Sequence, residues 1–157
     1  MTEVNGLRLA YCGFVVGLAG GYIWIAVAMA LSGIADGDPL LPLRPIALAL
    51  SPLAGSPELA FVIGLAALQG VGAMVGMAFA YFFARFFTVR STLAIAAPSV
   101  ALLAWGLLGA AVARDTGIVE FATHPIPALA SLAYGILLGR AVPLRGEVLR
   151  YAGSPST

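Results

Sequence analysis

The chain has 157 residues, of which 61% are hydrophobic and 10% are charged, and its mean hydropathy is +1.02. Soluble domains carry about 25% charged residues, so this composition excludes an ordinary soluble domain and indicates an integral membrane protein. The formal net charge of +1 gives no reason to expect nucleic acid as a partner. The single cysteine, Cys12, excludes an internal disulfide and a metal site made of cysteines alone.

Four apolar stretches predict an all-α, polytopic four-transmembrane-helix bundle that forms one membrane domain over residues 1–157. A length of about 20 residues per span allows four spans in this chain. The predicted spans cover about residues 7–33, 59–87, 92–113 and 126–142.

The first stretch contains "AVAMA" at residues 26–30, which resembles the cleavage site of a signal peptide. The uncharged run from Leu9 to Ala35 is much longer than the apolar region of a signal peptide, which has about 7–15 residues. We therefore interpret this stretch as an uncleaved helix.

The loop over residues 34–58 contains five of the ten prolines, which prevent one continuous helix. Between Pro45 and Pro52 it reads "IALALS", which is apolar but too short to span a bilayer. Because Pro45 suits the first position of a helix, we predict a short helix here. This helix is either an interfacial connector or a re-entrant element, and a re-entrant element would have to pack on the bundle.

Three further features are predicted in the second half of the chain. The short segment "RFFTVRST" predicts that the second and third spans form an antiparallel hairpin. Pro98 lies inside the third span and predicts a kink there. The last residues, about 152–157, are predicted to be disordered.

The distribution of arginines predicts the orientation. All eight basic residues are arginines, and six of them fall on one side of the predicted bundle: Arg8, Arg85, Arg90, Arg140, Arg145 and Arg150. The other side carries only Arg44 and Arg114. Since arginine is enriched on the cytoplasmic side, we expect both termini in the cytoplasm of a bacterial plasma (inner) membrane.

Small residues four positions apart mark the helix faces that pack closely inside lipid. Three spans carry such G-x-x-x-G patterns, formed by Gly13, Gly17 and Gly21, by Gly72 and Gly76, and by Gly135 and Gly139. In the third span, Ser99, Gly106 and Ala110 lie roughly on one stripe. These faces pack within the bundle or against a partner subunit. The similar patterns of the second and fourth spans also leave open an internal duplication of two hairpins.

Three polar residues are predicted near the middle of the membrane: Gln69, Ser99 and Ser131. Gln69 follows Glu58 by 11 positions, which is roughly 16 Å of helix. Its amide needs hydrogen-bond partners, and Ser131, Ser99 or a carbonyl freed near Pro98 would supply them. The alternative is that Gln69 contacts a polar ligand or lines a solute path.

The chain offers few residues for chemistry. His124 and Glu120 are four apart and form a possible outer-face ligand pair if that segment is helical, and otherwise His124 is a solvated interfacial residue. A single histidine excludes a haem held by two histidines of this chain. We predict no catalytic residue, no metal site and no cofactor. Lipid or quinone contact with the aromatics at 79–87 is an alternative to their role as an interfacial belt.

Three segments carry a resemblance to a known group of proteins: "PLLPLRPIALAL", "LQGVGAMVGMAFA" and "SLAYGILLG". In these segments the chain resembles a loosely defined group of small, uncharacterised four-helix bacterial membrane proteins. The resemblance implies the four-helix architecture and no established activity. The resemblance implies that related proteins often have histidine at the positions that Gln69 and Ser131 occupy here. Because this chain lacks both histidines, a haem or metal site of such relatives is not expected in it.

The expected function follows from these features. No carboxylate or histidine lies deep in a predicted span, which argues against proton relays and ion-coupled transport. We expect a non-catalytic subunit of a larger plasma-membrane complex of respiratory or redox type, in contact with the bilayer and with other membrane subunits or itself. The alternative is a homo-oligomeric channel or carrier for a small neutral or apolar solute. A membrane enzyme has the least support.

Overall fold

The computed structural model describes residues 3–84, 86–116 and 123–144. The described residues form helices and loops, with no strand among them. The five α-helices are α1 (Glu3–Ala35), α2 (Arg44–Leu50), α3 (Pro57–Ala78), α4 (Arg90–Thr116) and α5 (Pro125–Ala141), and the π-helical segment Phe79–Ala84 continues α3. The four longer helices begin and end within a few residues of the predicted spans. Arg85, Glu120 and the tail 152–157 lie outside the described residues.

Helix length and composition identify the chain as a membrane protein. Among the described residues, three helices are long and apolar enough to cross a bilayer: α1, α3 with its π-helical continuation, and α4. The fourth, α5, is apolar but has only 17 residues. At 1.5 Å per residue α5 is about 26 Å long, slightly less than the roughly 30 Å hydrocarbon core.

Three helices begin at a proline in their first turn. These prolines are Pro45 in α2, Pro57 in α3 and Pro125 in α5. Proline is tolerated there because the first amide groups of a helix have no partner within it. Side chains just before α3 and α5 each cap a further free amide. Ser56 Oγ accepts from Leu59 N of α3 at 3.3 Å, and His124 Nδ1 accepts from Ile126 N of α5 at 3.4 Å.

Two hairpins build the bundle. In the first, α1 packs along α3, and in the second, α4 packs along α5; the hairpins meet mainly where α1 contacts α5. The order of contact is therefore α3, α1, α5, α4. Along most of their length, the described residues of α3 and α4 hardly touch each other. The predicted hairpin of the second and third spans thus joins helices that meet only near their connection, where the π-helical segment contacts α4.

The two ends of the bundle differ in charge. We call the end that carries Asp36, Asp38, Glu58 and Asp115 the acidic end. We call the opposite end, which carries Arg8, Arg90 and Arg140, the arginine end. At the acidic end α2 contacts both α3 and α4, and the π-helical segment contacts α4 at the arginine end.

Helix α2 packs on the side of the bundle. Pro45, Ile46 and Ala47 are buried, and so is Leu43 just before the helix. A Cβ added at Gly64 would lie 3.0 Å from the Leu43 Cβ, so the missing side chain of Gly64 makes room for Leu43. Gly64 is seven positions after Pro57, so this contact lies roughly 10 Å along α3 from its acidic end.

The packing face of α4 differs from the expected stripe. Ser99, Gly106 and Ala110 are all exposed, and a Cβ added at Gly106 would meet no atom within 4 Å. The buried face of α4 instead contains Leu93, Ala97, Ala101, Trp105, Gly109 and Val112. The stripe of Ser99, Gly106 and Ala110 therefore does not pack within the bundle, because α5 contacts the face of α4 that carries Ala97 and Ala101. Its contact with a partner subunit stays a prediction.

Candidate functional site

Glycine on both helices defines the contact of α1 with α3. A Cβ added at Gly76 would lie 2.7 Å from Gly17 Cα and 2.9 Å from Gly17 N, and even closer to the Gly13 carbonyl oxygen. A Cβ at Gly72 would lie 2.9 Å from Gly17 O. The neighbouring atoms belong to the backbone and cannot rotate away. The structure therefore brings Gly13, Gly17, Gly72 and Gly76 together in what we call the first glycine seam.

A second glycine seam joins α5 to α4. A Cβ added at Gly135 would meet the Pro98 backbone, at 2.9 Å from its nitrogen, and would lie 3.0 Å from Ala101 Cβ. At Gly139 the nearest atoms would be Ala94 Cα at 3.0 Å and Ala97 Cβ at 3.1 Å. Here only one of the two helices supplies glycine. The kink predicted at Pro98 stays a prediction, and α4 continues as a helix through that residue.

Two hydrogen bonds connect the two hairpins, one between side chains and one from a side chain to the backbone. Trp24 Nε1 of α1 donates to Ser131 Oγ of α5 at 2.9 Å, and Ser131 donates in turn to the Pro127 carbonyl at 2.8 Å. The Tyr134 hydroxyl donates to the Gly72 carbonyl of α3 at 2.7 Å. Both bonds between hairpins are buried, where water cannot compete for the same groups.

Tyr134 reaches α3 by passing α1 at a glycine. A Cβ added at Gly20 would lie 2.5 Å from two carbons of the Tyr134 ring. Gly20 therefore leaves the space through which the ring extends toward Gly72. One face of α1 thus approaches the α3 backbone, while another accepts an aromatic side chain from α5.

A lateral cleft lies between α3 and α4. Its walls are formed by aliphatic and small residues of these two helices, and α1 and α5 close it from behind. The lining residues are Leu68, Val71, Gly72 and Val75 of α3, Ala101, Ala104, Trp105 and Leu108 of α4, and Gly21, Trp24, Ser131 and Tyr134 behind them. The rings of Trp24 and Trp105 are 5.7 Å apart between centroids and tilted by 37°. The cleft has a volume of about 40 Å³.

Gln69 lies beside the first glycine seam. A Cβ added at Gly21 would be 3.0 Å from Gln69 Oε1. Both polar atoms of the Gln69 amide are buried, and neither has a hydrogen-bond partner among the described residues. The expected bond to Ser131, Ser99 or a carbonyl near Pro98 is not formed. Ser131 instead accepts from Trp24 and donates to the Pro127 carbonyl, and Ser99 donates to the Ile95 carbonyl at 3.2 Å on the exposed side of α4. The three polar residues predicted at mid-membrane therefore do not form one cluster.

The acidic end holds a small group of charged and titratable side chains. His124 Nε2 lies 3.8 Å from an Asp36 carboxylate oxygen, so this contact links the end of α1 to the start of α5. Asp38, in the loop before α2, forms an ion pair at 2.8 Å with Arg44, the first residue of α2. Within the described residues no group of three or more His, Cys, Asp or Glu side chains could hold a metal ion. The predicted partner of His124, Glu120, lies outside the described residues.

At the arginine end, a long-range hydrogen bond and aromatic packing hold the helices together. Arg90 Nη1 donates to the Val142 carbonyl at 2.6 Å, so the start of α4 holds the end of α5. Phe79 is fully buried and stacks on Phe83 at 5.9 Å between centroids. Phe82 and Phe86, by contrast, are largely exposed, which suits an interfacial position.

Two important residues were not singled out from the sequence. Trp24 and Tyr134 were considered there only among scattered aromatics, although both are buried and connect the hairpins. A weak signal exists in α5, where Ser131, Tyr134, Gly135 and Leu138 share one helix face. The partners Trp24 and Gly72 could not be chosen without knowing which helices pack together.

Comparison with known proteins found no match: no protein-family model, curated protein or solved structure is similar to this chain. The resemblance to small four-helix membrane proteins therefore stays a hypothesis. The functional proposals below depend on the geometry of the helices and on the composition of the chain.

Proposed function

We propose that the chain is a non-catalytic four-span subunit of a larger plasma-membrane complex of respiratory or redox type. The proposal rests on one observation: three polar side chains inside the bundle hold helices together. Trp24, Ser131 and Tyr134 all form hydrogen bonds that connect helices. A bundle whose interior side chains serve packing is suited to supporting a partner.

The outward surface of the bundle also supports a role in assembly. Large apolar side chains on several helices are widely exposed, including Leu7, Tyr22, Met74, Leu103 and Leu107. Lipid covers such a surface in an isolated bundle, and helices of partner subunits cover part of it in a complex. Close helix contacts in membranes require shape matching rather than apolar burial, so exposed Gly70 and Gly106 leave flat areas for a partner helix.

Purification tests this proposal. The tagged chain, extracted in mild detergent, should co-purify with other membrane proteins, at least one of which carries a redox cofactor detectable by its absorbance. A stable, lone monomer with no associated protein in several mild detergents would argue strongly against the subunit function.

The orientation forms part of the same proposal. In a four-span arrangement α5 crosses the membrane with the arginine end in the cytoplasm, so both termini are cytoplasmic. The positions of Arg8, Arg90 and Arg140 support this orientation through the enrichment of arginine on the cytoplasmic side. Reporter fusions to each terminus should be active only if the reporter functions in the cytoplasm. A periplasmic C-terminus would reduce the count to three spans.

One observation favours a second function, a homo-oligomeric channel or carrier for a small neutral or apolar solute. The buried Gln69 amide has no partner among the described residues, and a passing polar solute would supply one. In liposomes, Gln69→Leu should then reduce flux of the solute, while Ser99→Ala on the lipid side should not. Unchanged flux in Gln69→Leu would eliminate this function.

A further inference from the structure

A large groove lies along the first turns of α1, at the arginine end of the bundle. Residues between positions 7 and 14 of α1 line most of this groove, which we call the α1 groove, and Met77 of α3 and Pro143 after α5 complete its walls. Its volume is about 840 Å³, within the range of roughly 300–1,000 Å³ that is usual for pockets that bind drug-sized ligands. One acyl chain with its glycerol phosphate is a ligand of about this size.

The chemical character of the α1 groove changes with depth in the membrane. The 30 residues from Gly6 to Ala35 span about 45 Å, whereas the hydrocarbon core is roughly 30 Å thick, so the ends of α1 reach the head-group layers. Arg8 lies close to such an end, and Phe14 lies six residues further on, roughly 9 Å along the helix axis. The groove therefore has a cation at the level of the head groups and apolar walls at the level of the acyl chains.

The charge of Arg8 is available to an anion. Its side chain is exposed and forms no ion pair with any other residue that the structure describes. The carboxylates whose side chains are described all lie at the opposite, acidic end of the bundle: Asp36, Asp38, Glu58 and Asp115. An anionic group beside Arg8 therefore meets a positive charge and no described carboxylate that competes with it.

The remaining walls exclude an occupant that is only an anion. Leu7, Tyr11, Phe14 and Met77 present large apolar or aromatic surfaces, and all four are exposed on the outside of the bundle. A soluble anion would leave these walls uncovered, and an uncharged lipid would leave Arg8 without a counter-charge. A zwitterionic head group adds a cation beside its phosphate, for which the described walls offer no carboxylate. A phospholipid with a net negative head group matches both parts of the groove.

We propose that the α1 groove is a binding site for an anionic phospholipid. The phosphate pairs with Arg8, and one acyl chain lies along Tyr11 and Phe14 toward Met77. Basic pockets between membrane helices bind anionic head groups in this way. This site does not depend on the subunit function, because the bilayer supplies the lipid whether or not a partner protein is bound.

The thiol of Cys12 reports on occupancy of the groove. Cys12 is the single cysteine of the chain, is partly exposed and lines the groove, so a bound lipid should shield it from reagents. The purified chain in mild detergent is mixed with phosphatidylglycerol or with phosphatidylcholine of the same acyl chains, and the rate of maleimide addition to Cys12 is measured by mass spectrometry. Phosphatidylglycerol should protect Cys12 with about fivefold higher affinity, the preference expected from one arginine near an anionic head group.

Two arginine variants form a matched pair. Arg8→Gln removes the charge in the groove, so phosphatidylglycerol should protect Cys12 no better than phosphatidylcholine does. Arg140→Gln removes an exposed arginine at the same end that does not line the groove, and it should keep the preference of the unmodified chain.

Two further measurements need no variant. In the unmodified chain, 1 M salt should remove most of the preference for phosphatidylglycerol, because the screening length falls to about 3 Å. Glycerol phosphate, which carries a phosphate but no acyl chain, should not protect Cys12.

Several results would overturn the proposal. Equal protection by the two phospholipids would show that the groove is a lipid-facing surface that does not recognise the head group, and absence of protection would show that no lipid binds there. Equal loss of the preference in both arginine variants would assign it to the overall charge of this end. Protection by glycerol phosphate would indicate a site for a soluble anion. Protection that rises with protein concentration without added lipid would assign the groove to a second copy of the chain.

Discussion

The first hairpin, α1 with α3, and the second hairpin, α4 with α5, carry similar glycine pairs but use them differently. Gly72 and Gly76 meet glycine backbone on the opposite helix. Gly135 and Gly139 meet the backbone of residues other than glycine, namely Pro98, Ala94 and Leu93, together with alanine methyl groups. The same sequence pattern therefore gives a mutual backbone contact in one hairpin and a one-sided contact in the other.

The comparison also separates two kinds of interaction. Within each hairpin, close backbone approach provides the contact. Between the hairpins, buried hydrogen bonds provide it, from Trp24 to Ser131 and from Tyr134 to Gly72. A substitution in a seam should thus loosen one hairpin, and a substitution at a hydrogen bond should separate the two.

The largest effect is expected at the first glycine seam. In Gly76→Ala the new methyl group would collide with the Gly17 backbone and with the Gly13 carbonyl, so the helices must move apart. The expected loss is about 3 kcal/mol in free energy of unfolding, at the upper end of overpacking effects. Titration with SDS in mixed micelles, followed by circular dichroism, measures it. Gly70→Ala is the control on the same helix, because its methyl group would meet no atom within 4 Å.

A smaller loss is expected when a bond between hairpins is broken at Ser131. In Ser131→Ala the Trp24 N–H loses its acceptor and stays buried, which costs about 2 kcal/mol. Tyr134→Phe removes a donor instead, and the Gly72 carbonyl left behind still has its helix partner, so its cost should be nearer the roughly 0.6 kcal/mol average for membrane hydrogen bonds. The same SDS titration compares the two, and a larger loss in Tyr134→Phe would contradict this ranking.

Gly139, at one end of the second glycine seam, should tolerate a methyl group better than Gly76 does. In Gly139→Ala the nearest atoms would be 3.0–3.1 Å away, one of them a side-chain methyl, so a small shift of α5 relieves the contact. We expect a loss of about 1 kcal/mol in the free energy of unfolding. Gly106→Ala on α4 is the control. A loss equal to that of Gly76→Ala would show that the two seams do not differ.

The smallest effect, and one of opposite sign, is expected at Gln69. Its buried amide lacks partners among the described residues, so Gln69→Met removes an unsatisfied polar group while keeping the length of the side chain. The free energy of unfolding should rise by up to about 1 kcal/mol. Destabilisation by this variant would show that Gln69 has a partner in the membrane, such as a solute or another subunit.

The helices themselves could be predicted from the sequence because the signals are local. Apolar length set the positions of the four longer helices, and Pro45 marked the start of α2. The G-x-x-x-G spacing marked Gly13, Gly17, Gly72 and Gly76 as members of contact faces, but it left open whether these faces meet each other or a partner subunit. Only one side of the second seam was predicted from the sequence. Gly135 and Gly139 were identified, but the residues that they contact on α4, Ala94, Ala97 and Pro98, were not.

The polar interior could not be predicted in the same way. Gln69, Ser99 and Ser131 were grouped by depth in the membrane, which ignores the direction in which each side chain points. Ser99 faces away from the bundle because the opposite face of α4 packs on α5. Ser131 bonds to Trp24, a residue 107 positions away.

The sequence by itself determined that this protein is a helical membrane protein, roughly where its helices begin and end, and which glycines of α1, α3 and α5 allow close contact. Hydrophobicity, proline and glycine act over a few residues, so a single pass along the chain reveals their effects. Only the tertiary structure decided that α1 lies between α3 and α5, that Trp24 and Tyr134 connect the hairpins, and that α3 and α4 leave a cleft between them. These features depend on which helices meet, and the helix pairing is fixed by the joint packing of all helices rather than by any one segment.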